Sequence, residues 1–163
     1  MGKALVSPGQ RIRSAWQRLS PLPFGRWLFS RLLRWVNPYS GSVGATVMTL
    51  EPGRAVVELK ERRAVHNHLN SVHAIALANI AEMASGLAML GSLPETARGI
   101  PIALSIEYLK KARGVLTAEA LVTLPDVTVD GTHTFTSTVT DATGDIVARA
   151  TVTWKLGPVP TPK

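Results

Sequence analysis

The stretch "HNHLNSVHAIALANIAEMASG", His66–Gly86, holds the side chains best suited to chemistry. Asn67, Asn70 and His73 gather in its first part. Nine positions after His73 comes Glu82, the only formally charged residue between Ala64 and Pro94. An ionised carboxylate buried without a partner is very costly, so this acid is paired, neutral, or facing a cavity. Perturbed acids in clefts are candidates for function; the structural alternative is a glutamate hydrogen-bonded to a loop amide. A helix that starts near His73 also presents unsatisfied amide N–H groups at the positive end of its dipole, where a developing oxyanion can be held.

The acid needs a helix to carry it. The apolar run predicts one from about Val72 to Leu90, with Gly91 as a stop and Pro94 just beyond. At about 100° per residue the face of Glu82 also holds Ile75, Ala78, Asn79, Ser85, Gly86 and Met89. The nearest of these are small and let a backbone or a slim ligand approach. The opposite face carries Leu77, Ile80, Ala84 and Leu87, which suits packing on a sheet. His73 and Glu82 lie about half a turn apart in azimuth. They converge only if His73 precedes the helix, or if a two-fold axis brings Glu82 from a second chain.

Sheet segments surround the helix. Extended runs near 44–50 and 54–61 flank "EPG", Glu51–Gly53, which reads as a hairpin turn. "IPIALSIEY" alternates Ile102, Leu104, Ile106 and Tyr108 against Ala103, Ser105 and Glu107, and "GVLTAEALVTL" follows. "GTHTFTSTVT" sets its threonines against His133, Phe135, Ser137 and Val139. "DIVARATVTW" sets Ile146, Ala148, Ala150, Val152 and Trp154 against Val147, Arg149, Thr151 and Thr153. A period of two is the mark of a sheet with one buried face. The order is two strands, one long helix, then four strands: an α+β domain whose six-stranded antiparallel sheet wraps around a central helix.

Charge is unevenly placed. Seven basic residues and no acid lie in residues 1–40, which accounts for the whole net charge of +7. The body is neutral, which disfavours a general nucleic-acid-binding domain. Three of the four Trp lie at 16, 27 and 35, in a segment 9–36 that reads as one or two amphipathic helices broken at "SPLP". Such a segment either packs on its own domain or a second subunit, the favoured reading, or lies on an anionic membrane surface. "NPYSG", Asn37–Gly41, reads as a linker, and the Pro-rich end as a flexible tail. The division expected is a basic helical extension over 1–39, a domain over 40–157 and a tail over 158–163. No Cys is present, which excludes disulfides and thiolate chemistry. His66, His68 and His73 make a poor metal set, so no metal is expected. Lys110, Lys111 and Arg113 form a short basic run that either guards a strand edge or meets phosphates.

Two strands, "N-x5-H", a helix with an acid nine residues after that His, and four further strands resemble the hotdog-fold acyl-CoA thioesterases. The closest type is the phenylacetyl-CoA thioesterase-like branch and its relatives with an N-terminal helix. "IEYLKKARG" and "DATGDIVARATVTW" are similar to that family's third strand and closing hairpin, so the resemblance spans roughly 40–157. It implies hydrolysis of an acyl-CoA thioester without a cofactor, by a cytoplasmic homodimer or homotetramer, with peripheral membrane contact through 9–36 as a further option. Glu82 would activate water or attack the thioester. Amides near Ala74 and Ile75 would hold the carbonyl oxygen, with Asn67 and His73 orienting the reactants; Asn70 is an alternative to Asn67. Asn79, Ser85 and Gly86 would face the acyl group, and Lys110, Lys111 and Arg113 the coenzyme A. The departures are Ala74 and Ile75, which stand where the family has Gly-Gly. They leave open a rival reading, a non-catalytic acyl-CoA or lipid-binding protein of the same fold.

Overall fold

The computed structural model describes residues 8–159; residues 1–7 of the extension and 160–163 of the expected tail lie outside it. Three helices come first: α1 (Pro8–Leu19), α2 (Gly25–Val36) and the single turn α3 (Pro38–Gly41). The hairpin β1 (Thr46–Glu51) and β2 (Arg54–Lys60) follows, then the long helix α4 (Ala74–Ser92). Strands β3 (Ala97–Tyr108), β4 (Val115–Leu121), β5 (Gly131–Thr140) and β6 (Ile146–Pro158) complete the chain. They form one antiparallel sheet in the order β1-β2-β4-β5-β6-β3.

α4 touches all six strands. Ile80, Ala81, Ala84 and Ala88 are wholly buried, and meet inward residues such as Val57, Leu116, Val139 and Val152. The predicted sheet-facing stripe, Leu77, Ile80, Ala84 and Leu87, is buried throughout. The helix begins two residues later than expected, because His73 is its N-cap. Gly91 does not stop it. The stop is Leu93, which turns extended (φ −62°, ψ 134°) ahead of Pro94, as the clash between a proline ring and the preceding residue demands.

Four expectations need correction. First, the Ile102, Leu104 and Tyr108 face of β3 is not buried: Ile100 is 61% and Ile102 55% exposed, and only Ile106 packs on the core. β3 is an edge strand that α4 covers little. Second, the alternation of β6 breaks at its start. A bulge between Val139↔Ala148 and Thr140↔Ile146 leaves Val147 unopposed, so Val147 and Ala148 are both buried while Ile146 is not. Third, β6 runs through Pro158, which pairs with Ala97, and the Val159 N–H donates to the Thr96 carbonyl at 2.8 Å. The chain is therefore still in the sheet where the tail was expected to begin. "NPYSG" is likewise helical, with Pro38 at its first turn, where a missing N–H does no harm.

The N-terminal helices are fastened to this body by their inner faces. Arg13 donates to the carbonyls of Gly91 (2.9 Å) and Leu93 (3.0 Å), at the negative end of the α4 dipole. A Cβ on Gly9 would come within 2.3 Å of the Leu90 carbonyl oxygen, so α1 lies backbone-close to α4. Ser30 of α2 accepts the Val47 N–H at 2.9 Å and donates to Arg26 O. Trp16 and Phe29 meet edge to face at 5.0 Å, and Phe29 is buried. The outer side of α2 is different: Phe24, Trp27, Trp35 and Val36 are exposed, Trp35 to 82%.

Candidate active site

The residues before α4 shape its start. Asn67 accepts at its side-chain oxygen from the Leu69 N–H (2.9 Å) and from the Ser71 N–H and hydroxyl (3.2 Å each). Asn70 takes a left-handed conformation (φ 51°), which asparagine tolerates better than most residues. The loop closes as a bridge between His66 and Val72. His73 then caps the helix, its Nδ1 accepting the Ile75 N–H at 3.1 Å. These contacts give the four residues their places within the single chain. Asn67 and Asn70 form the loop and line neither of the cavities described below. His73 is exposed and serves as a cap. The Ile75 amide is already engaged, so among the described residues only Ala74 keeps a first-turn N–H without a partner. The Tyr108 hydroxyl donates to the Ala74 carbonyl at 3.2 Å, and partial burial raises its pKa.

The basic run divides. Lys110 is held by Asp141 (2.7 Å) and Asp145 (2.6 Å) of the closing hairpin, which corrects its assignment to substrate; Asp141 is kept well below the usual carboxylate range by that lysine and by Thr143. Lys111 and Arg113 are exposed. Glu61 accepts from the Gly114 N–H and pairs with His66 at 2.9 Å; the Gly114 contact is the main reason its pKa is lowered.

Glu82 is half-buried, one turn beyond the buried Asn79. Among the described residues it has no hydrogen-bond or ion-pair partner, and burial alone raises its pKa. It stands between two cavities. One is an open cleft of about 490 Å³ between α4 and β3, lined by Ile75, Asn79, Glu82, Tyr39, Ser40 and residues 101–104. The other is a more apolar chamber of about 590 Å³ roofed by α1 and α2, whose wall includes Met83, Gly86 and Trp154. Glu82 and Ser40 line both. The Asn79 side-chain oxygen is buried without a partner, as is the Ser85 hydroxyl; Ser85 lines neither cavity. A Cβ on Gly86 would lie 3.6 Å from Glu82 Oε1 and 3.7 Å from the Trp154 ring, so its absence keeps the space beside the acid clear. The structure thus gathers Ile75, Asn79 and Glu82 on the cleft and Gly86 on the chamber. Tyr39, Ser40 and the β3 wall had no local signal; they arrive through α3 and the sheet edge.

A family model described as a domain of unknown function, DUF4442, matches residues 25–156. The chain belongs to this family. Its DUF4442 region runs from α2 nearly to the end of β6, and its architecture is the hotdog fold. None of the curated proteins matches the chain. Among solved structures, the genomics target APC5556 is 31% identical, covers 91% of this chain and 99% of its own, and superposes with a TM-score of 0.81. PA5026 of Pseudomonas aeruginosa, described as a probable thioesterase, is 21% identical over 85% of this chain and 97% of its own, with a TM-score of 0.72. A thioesterase family protein of Silicibacter pomeroyi is 22% identical over 80% and 96%, with a TM-score of 0.67.

Proposed function

We propose that this DUF4442 protein is an acyl-CoA thioesterase. The observation that carries the reading is Glu82: one acid without a partner, with a pKa raised by burial, where two cavities adjoin. A raised pKa moves a carboxylate towards the range where it is an effective general base near neutral pH. Glu82 takes a proton from water. The water oxygen bonds to the thioester carbon, the C–S bond breaks, and the thiolate of coenzyme A leaves with the proton. The products are a free acid and coenzyme A. The Asn79 carboxamide, in the same cleft, orients the water or the carbonyl; the Ala74 N–H, about 12 Å along α4 from Glu82, would serve the acid of a second copy. Lys111 and Arg113 are the available basic groups for coenzyme A phosphates.

The working unit is a homodimer. β3 is a twelve-residue edge strand with an exposed apolar face, the kind of edge that proteins cover or pair. A second copy against it would add a further wall to the cleft. The exposed Phe24, Trp27 and Trp35, with Arg31 over Trp27 at 4.9 Å, suit an anionic lipid surface; salt-sensitive binding to phosphatidylserine vesicles, lost in Trp35→Ser, tests that contact.

One observation favours the non-catalytic reading: with the Ile75 amide engaged by His73, the helix start has one donor fewer for an oxyanion. Release of free coenzyme A from a mixed acyl-CoA panel decides between the two. Release by the purified chain supports the enzyme, and none from any acyl-CoA supports the binding protein.

A further inference from the structure

The mechanism above uses the cleft and leaves the chamber beneath α1 and α2 without a role. Ile12 and Ala15 of α1, Phe29 and Leu33 of α2, and Leu87 and Leu90 of α4 are among the residues of its wall. Its volume of about 590 Å³ is within the ~300–1,000 Å³ of small-molecule sites. At about 30 Å³ per water-sized group, that is room for roughly 20 of them, more than a single ring or an acetyl group fills. The chamber adjoins the cleft at Glu82 and Ser40, and Leu32, Trp35 and Val36 carry its lining out to the exposed ridge of α2.

We propose that this chamber is the acyl-chain site, so that the substrate class is a long, unbranched aliphatic thioester. The assignment rests on the thioesterase reading for where the carbonyl sits. With the carbonyl beside Glu82 and the coenzyme A arm leaving by the open cleft, the group on the carbonyl carbon has the chamber on the other side of the acid. That space is mostly hydrocarbon, with Arg11, Asn37 and Ser40 as polar residues of its wall beside Glu82, and a methylene chain needs no polar partner there. Ile12 and Ala15 then fix how much chain is accepted, and the small Gly86 lets the first methylenes pass between Glu82 and Trp154.

The test is calorimetric titration of the full chain with S-alkyl coenzyme A thioethers, from ethyl to tetradecyl, which lack the carbonyl and are not hydrolysed. Affinity should climb by up to about fourfold per added methylene, the ~0.8 kcal/mol of one buried CH₂, until the chamber is filled. Ala15→Phe places a ring in the chamber. It should weaken the tetradecyl thioether at least about tenfold and leave the ethyl thioether unchanged. Affinity that is flat with chain length overturns the proposal. So does an Ala15→Phe protein that melts like the wild type and binds the tetradecyl thioether as tightly. Ile12→Phe carries the same comparison if Ala15→Phe does not fold; if neither folds, the wild-type slope decides. A rising slope without release of coenzyme A from any acyl-CoA sinks the enzyme and keeps the chamber. Turnover with a flat slope does the reverse.

Discussion

Glu82→Gln separates chemistry from stability, because the two should move in opposite directions. Glutamine keeps the size and one hydrogen-bonding oxygen but cannot take a proton from water. Loss of a positioned general base costs about 10²–10⁴ in rate, or ~2.7–5.4 kcal/mol of barrier. Stability follows from the raised pKa. Below the unfolded value, close to the ordinary 4.5 of a glutamate, folded and unfolded chains both hold the proton and burial of the group costs little. As pH rises through the folded value, the folded chain must carry an ionised, half-buried carboxylate, and stability falls. Glutamine does not ionise, so the variant should resist urea better than the wild type at about pH 8, with the difference shrinking towards about pH 4. Coenzyme A release and urea midpoints at both pH values are the assay. In the wild type the rate should rise with pH through a midpoint above the ordinary glutamate range. Wild-type turnover in the variant refutes the catalytic role. Lost turnover together with lower stability at about pH 8 refutes the reasoning, since the acid would then be a structural partner.

Other perturbations test the frame. Ile102→Asp puts a charge on the exposed face of the β3 edge and should convert a dimer to a monomer by light scattering; an unchanged dimeric mass places the interface elsewhere. Arg13→Ala removes two charge-assisted hydrogen bonds from the end of α4 and should cost about 1.5–3 kcal/mol in urea unfolding. His73→Ala removes the cap on the Ile75 N–H and should cost about 0.5–2 kcal/mol, with a smaller loss of turnover than Glu82→Gln. His73→Asn should restore most of that stability, and failure to do so would remove the capping role.

The helix, its buried stripe and the six strands were legible because each is a local period: 3.6 residues for α4, two for the strands. Glu82 stood out for the same reason, as one charge in an apolar run. The misreadings came from non-local causes. The apolar face of β3 matches a buried strand in pattern, but sheet order puts it at an edge. The bulge that buries Val147 beside Ala148 depends on the register with β5. Asn67 and His73, read for chemistry, also make short-range hydrogen bonds that build the loop and the cap, a local role that the reading for chemistry passed over. Lys110 was drawn away by two aspartates some thirty residues further on. The cavities were invisible because their walls come from α1, α2, α3 and β3 at once.

The docking of α1 has a consequence for how such a protein diverges. The family model matches from residue 25 onward, so α1 lies ahead of the matched region, and its Ile12 and Ala15 wall the chamber while Glu82 is borne by α4. Under the proposed assignment, part of what the protein accepts is written on a segment apart from the helix that bears the acid. Substitutions in α1 would retune chain length without touching the acid. The freedom has one limit: Arg13, on the same helix, clasps the last carbonyls of α4. A graft of α1 from a relative would therefore have to bring an equivalent clasp, or it would loosen the helix that carries Glu82.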